Sequence, residues 1–191
     1  MMAKAVLISI QPQWCELIAS GKKTLEVRKT MPKLGTPFKC YIYCTNTKTF
    51  LVWGDVFRGN WETEFTSIYG YSREEAEKIW DVFNGKVIGE FVCDSIECFG
   101  VPYPAFQKEL DKHILDESCC SYYQLHRYAY HDALYGWHIS DLIIYEAPKG
   151  LDWFRKPIEC HRGIQRENCK GCWDCEIKRP PQSWCYVEEL K

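Results

Sequence analysis

No stretch of this 191-residue chain approaches the roughly 20 consecutive apolar residues that a membrane-spanning helix needs. An excess of either charge is also missing. Twenty-four Lys and Arg against 26 Asp and Glu leave a net charge of -2, so no whole-protein field attracts nucleic acid, and any such binding must come from a local patch. Internal repeats and low-complexity tracts are absent, which excludes solenoids and disordered linkers. The opening MMAKAVLISIQPQW turns polar too soon for a secretory signal, and a cytoplasmic location is the expectation. In a reducing compartment, the 12 cysteines are then expected to bind metal or to be buried rather than to form a disulfide framework.

What is present suits a globular domain: 46% hydrophobic residues and eight Trp. Basic residues concentrate early. Lys4, Lys22, Lys23, Arg28, Lys29, Lys33 and Lys39 face only Glu16 and Glu26 within the first 40 positions, which permits a phosphate-binding patch and equally suits a solvated face.

Val6–Ile10 reads as a strand, and Pro12 opens a short helix through Trp14, Leu17 and Ile18 that stops at Gly21. From Thr24 to Lys29, Leu25 and Val27 alternate with Glu26 and Arg28, the period of a strand with one buried face. Residues 38–45 alternate again, with Cys40, Ile42 and Cys44 on one side and Tyr41 and Tyr43 on the other. Ser72 and Glu75 form a capping box for a helix over 72–83. A strand is expected over Lys86–Ser95, a helix over Ser121–Tyr130 and a last strand around Leu142–Tyr145, with Pro148 closing the domain. The division is therefore a domain over 1–148 and a cysteine-rich tail over 149–191.

The run Gly21-Lys22-Lys23-Thr24-Leu25-Glu26-Val27-Arg28 matches the GxKxxExR signature of ASCH domains, after the strand and helix of ISIQPQWCELIASG. VIGEFVCD and YGWHISDLIIY resemble later strands of phage-type and Firmicute-type ASCH proteins, and KRPPQSWCYVE resembles their ending. The resemblance implies an α+β fold, a PUA-like pseudo β-barrel with flanking helices, and a cleft that binds RNA or a nucleotide. Lys23, Glu26 and Arg28 would line it, with Trp137 stacking on a base and His138 exchanging a proton near neutral pH. The plainer alternatives are a structural Glu26–Arg28 ion pair, a core role for Trp137, and a His138 that only satisfies a carbonyl.

Small ASCH proteins of similar outline hydrolyse acetylcytidine through a motif lysine and a threonine nucleophile two residues before the arginine. That position is Glu26 here. A carboxylate cannot take over the hydroxyl's nucleophilic role without changing the mechanism, although it can activate water. Thr24 is nearby. Lys23, Glu26 and His138 are thus the catalytic set if the protein is an RNA or nucleoside hydrolase.

In the tail, Cys169, Cys172 and Cys175 follow a CxxCxxC spacing with Cys160 upstream, enough thiolates for a tetrahedral zinc. An iron–sulfur cluster is the alternative, although the Cys-Pro that follows ferredoxin-type runs is missing. His161 or Cys185 could replace one ligand. Trp173 and Trp184 offer apolar surface for docking on the barrel, and such a tail could also recruit a protein partner.

Overall fold

The computed structural model describes residues 3–46, 83–101, 110–159, 172 and 174–190. The helix expected over 72–83 lies outside these except at its last residue. Six strands form one sheet: β1 (Lys4–Ile10), β2 (Leu25–Arg28), β3 (Phe38–Cys44), β4 (Val87–Phe99), β5 (Leu134–Lys149) and β6 (Trp184–Glu188). Their order is β2-β5-β4-β3-β1-β6, antiparallel throughout except for the parallel pair β1 and β3. Among the described residues three α-helices accompany them, α1 (Pro12–Ala19), α2 (Lys112–Ser118) and α3 (Tyr122–Ala129). This is the α+β architecture expected, with the sheet curled into a pseudo-barrel. Among the described residues no helix is long and apolar enough to cross a membrane.

Strand alternation sorts β3 as its sequence predicts. Cys40, Ile42 and Cys44 enter the cluster containing Phe91 and Trp137, while Tyr41 and Tyr43 join Phe154, Ile177 and Val187 on the opposite face. The short α1 begins with Pro12 in its first turn, where a missing N–H removes no helical bond, and the chain leaves it through Gly21 at φ +72°. Lys22 and Lys23 then both donate backbone N–H to the Leu17 carbonyl, which fixes the path into β2.

β2 departs from expectation. All four of its residues are buried, not only Leu25 and Val27. Those two pack with Leu110, Ile114, Tyr122 and Leu125 beneath α2 and α3. Glu26 and Arg28 are therefore buried at the floor of a cleft rather than spread on a solvated face. A second departure concerns 149–191: β6 pairs with β1 from Lys4–Glu188 to Ile8–Trp184, so the stretch read as a tail supplies a strand of the sheet. Its sequence, WCYVE, is too short for periodicity to declare it. Trp184 does dock on the barrel, its ring centroid 6.1 Å from that of Trp137 and its Nε1 donating to Thr30 Oγ1 at 3.0 Å. Trp173 lies outside the described residues.

Candidate functional site

A cavity of about 450 Å³ opens where α1, β2 and α3 meet the ends of β1 and β6. Lys23, Glu26 and Arg28 all line it, with side chains only 2%, 7% and 9% exposed. The loop after Gly21 delivers Lys23, and the two-residue period of β2 places Glu26 and Arg28 on one face.

Glu26 stands between two cations. Its Oε2 lies 3.5 Å from Lys23 Nζ and its Oε1 lies 3.0 Å from Arg28 Nη2. Lys23 also donates to the carbonyls of Leu25 (2.8 Å) and Ser118 (2.7 Å), so much of its hydrogen-bonding capacity is taken up within the protein. It orients Glu26 rather than reaching outward. Trp14 covers the ammonium, with its ring centroid 5.1 Å away.

Arg28 is less fully engaged. Nη2 donates to the Ser9 carbonyl at 2.5 Å and Nη1 reaches Ser183 Oγ only at 3.5 Å. Its Nε has no hydrogen-bond partner among the described residues. A buried guanidinium with donors to spare is costly unless something else accepts from it, and the space beside it is a cavity.

The rest of the wall was not legible in the sequence. Trp14 and Tyr128 contribute rings, and Gln124 and Gln182 contribute amides. Gln124 and Tyr128 are four apart on α3 and so share a helical face, the one signal that could have paired them. Cys120 also lines the cavity; burial pushes its thiol up, against the pull of Lys23, so it is not poised as a thiolate nucleophile.

Two expected members lie elsewhere. Trp137 is directly opposite Glu26 in the β2–β5 register, yet its indole is wholly buried in the core, edge-on to Phe38 at 5.9 Å. It does not line the cavity and offers no face to a base. His138, next along β5, points to the other side, where Nδ1 meets Asp94 Oδ1 at 2.7 Å with both side chains over 40% exposed. Alternation forbids neighbours on a strand from sharing one pocket. The imidazole holds the Asp94 carboxyl below its usual value. Thr24, the other hydroxyl considered, does not line the cavity; its backbone N–H donates to Glu117 and its carbonyl accepts from Ile139.

Of the four tail cysteines, Cys160 and Cys169 lie outside the described residues. Cys172 and Cys175 are both buried and form a small cluster of their own, with the Cys172 carbonyl accepting from the Glu176 N–H. Among the described residues no group of three or more His, Cys, Asp or Glu is arranged to hold a metal. Cys185 sits in β6 opposite Leu7 and packs with the Tyr41 and Phe154 cluster.

The sequence matches no protein-family model and no curated protein. Among solved structures, a serine-to-alanine variant of the ASCH protein of Zymomonas mobilis superposes with a TM-score of 0.54, covering 97% of this chain and 89% of that one at 18% identity. This chain has the ASCH fold. The same Zymomonas protein without that substitution aligns at 19% identity over 97% of this chain and 88% of its own, with a TM-score of 0.48, and the fold assignment rests on the first comparison. In this ASCH fold, the signature's lysine, glutamate and arginine converge on one cavity, and the sixth strand, from the chain's last residues, completes the sheet beside it.

Proposed function

We propose that the cavity binds a nucleotide, either free or as one unit of an RNA strand. The observation that carries this reading is the pairing of a buried, incompletely satisfied Arg28 with an open cleft of about 450 Å³ walled by Trp14, Tyr128 and two glutamines. A guanidinium suits phosphate or carbonyl oxygen, aromatic rings suit a base face, and amides suit a base edge. Glu26 supplies an acceptor for an exocyclic amine or a ribose hydroxyl. Native mass spectrometry after incubation with nucleoside monophosphates and short RNA tests it. Retained nucleotide should disappear with Arg28→Lys and weaken with Gln124→Ala; retention untouched by both changes would put the ligand elsewhere or nowhere.

A hydrolytic role has one observation in its favour, a buried carboxylate beside an ammonium inside the same cavity. Water activated by Glu26 would be the attacking group, with Lys23 holding the carboxylate in place. His138 lies outside the cavity lining, so the catalytic set would reduce to Lys23 and Glu26. Release of product from RNA or an acylated nucleoside, abolished by Glu26→Gln in folded protein, separates this from binding alone.

For the cysteine-rich stretch we retain zinc as the expected ligand of Cys160, Cys169, Cys172 and Cys175. The proximity and burial of Cys172 and Cys175 fit one CxxC half of such a site. Four protein thiolates would close the coordination, making the metal a structural clamp, or a platform for a protein partner, rather than a catalytic centre.

A further inference from the structure

Helix α3 presents two adjacent stripes. Tyr122, Leu125 and Ala129 are buried, and Gln124 and Tyr128 face the cavity. One position back on the helical wheel, about 100° around the axis, Tyr123 and Arg127 fall at i and i+4, and Tyr130 follows them as the C-cap residue. Tyr123 is 68% and Tyr130 77% exposed, and Arg127 is exposed with them.

These rings gain little from burial, and one of them sits where it opposes folding. Tyr130 caps the helix at φ +44° and His131 follows at φ +72°, two successive left-handed residues where glycine or asparagine is ordinarily preferred. The aromatic pair lies with ring centroids 5.4 Å apart. Tyr123 is braced edge-on by Tyr122 at 5.4 Å. An exposed, positioned ring at a strained cap points to a partner with flat faces.

The charge of this face selects among such partners. From Cys119 through His131 there is no Asp or Glu, although the chain carries 26 of them. Arg127 is joined by Lys29, whose Nζ lies 5.5 Å from the Tyr128 ring centre. Asp132, the nearest carboxylate in sequence, is 3.8 Å from Lys29 Nζ. Exposed aromatic rings beside Arg127, with Asp132 at the edge already paired to Lys29, suit a strand with exposed bases and phosphates.

We infer that the Tyr123–Arg127–Tyr130 stripe is a landing face for single-stranded nucleic acid, whose bases stack on the tyrosines and whose backbone meets Arg127 while one nucleotide enters the cavity. This rests on the cavity being a nucleotide site, and the two ideas separate experimentally. Fluorescence anisotropy is read with labelled single-stranded RNA and DNA hexamers, alongside calorimetric titration with a nucleoside monophosphate. A hexamer should bind at least about tenfold more tightly than the mononucleotide, and Tyr130→Asn or the pair Tyr123→Ser with Arg127→Gln should remove about that factor. Mononucleotide affinity should stay unchanged. Asparagine tolerates the left-handed cap, so Tyr130→Asn should melt no lower than the parent protein, which excludes misfolding as the cause. Loss with both hexamers, or with RNA alone, supports the face and tells which strand occupies it. Hexamer binding indifferent to every variant overturns it, as does a hexamer that binds no better than a mononucleotide. Hexamer binding that depends on the stripe without any mononucleotide binding keeps the face and removes the cavity reading instead.

Discussion

Arg28 Nη2 donates to the Ser9 carbonyl at 2.5 Å, joining β2 to β1 although three strands separate them in the sheet. A side chain rather than a backbone ladder thus ties the edge strand β2 to β1, and the same guanidinium holds Glu26. The residue that makes this tie also lines the cavity. Fold and site are consequently coupled, and changes to this cluster should register in both stability and binding.

Glu26 is the shared counter-ion of two buried cations. Replacing it by Ala leaves Lys23 and Arg28 facing each other without compensation, and such a loss costs about 3–5 kcal/mol. Urea denaturation should show that decrease, with a smaller one for Glu26→Gln, which keeps the shape and one acceptor. A Glu26→Ala protein as stable as the parent would show that the triad is not buried as described.

Glu16, on α1, is only 4% exposed, and its Oε1 has no partner among the described residues. Burial lifts its carboxyl from the usual 4.5 to about 7, against an opposing pull from Lys22. The folded state therefore holds a proton that the unfolded state releases between those values. The stability this provides is complete below pH 4.5 and is lost as pH rises through about 7. Glu16→Gln should accordingly match the parent near pH 4 and exceed it by about 3 kcal/mol near pH 8, by chemical denaturation at the two pH values.

The His138–Asp94 pair is exposed and apart from the cavity lining. His138→Gln should change stability by less than about 1 kcal/mol and leave nucleotide affinity within about twofold. A large loss of affinity would instead bring His138 back as part of the site.

If zinc holds the cysteine-rich stretch, chelation should remove one zinc-sized mass in native mass spectrometry and lower the melting temperature. Cys172→Ala should abolish that mass. Because β6 lies downstream of these cysteines and pairs with β1, metal loss should also speed hydrogen exchange in 184–188. Iron with sulfide in place of zinc would redirect the stretch toward redox chemistry.

Local pattern determined a good deal of this protein. The period of two in 38–45 assigned both faces of β3, Pro12 and Gly21 bracketed α1, and the helix expected over Ser121–Tyr130 begins within one residue of the observed start of α3. The spacing of Lys23, Glu26 and Arg28 was enough to place them together, since neighbours along a loop and strand need little tertiary information to meet. Tertiary structure decided the remainder. Whether Glu26 and Arg28 faced water or a cavity depended on α3, more than 90 residues away, and on Ser9 and Ser183. Periodicity shows that a residue is on the polar side of a strand, but not what covers that side. For the same reason it could not say which of Trp137 and His138, on opposite faces of β5, would meet the core, or reveal that WCYVE would become the sixth strand beside β1.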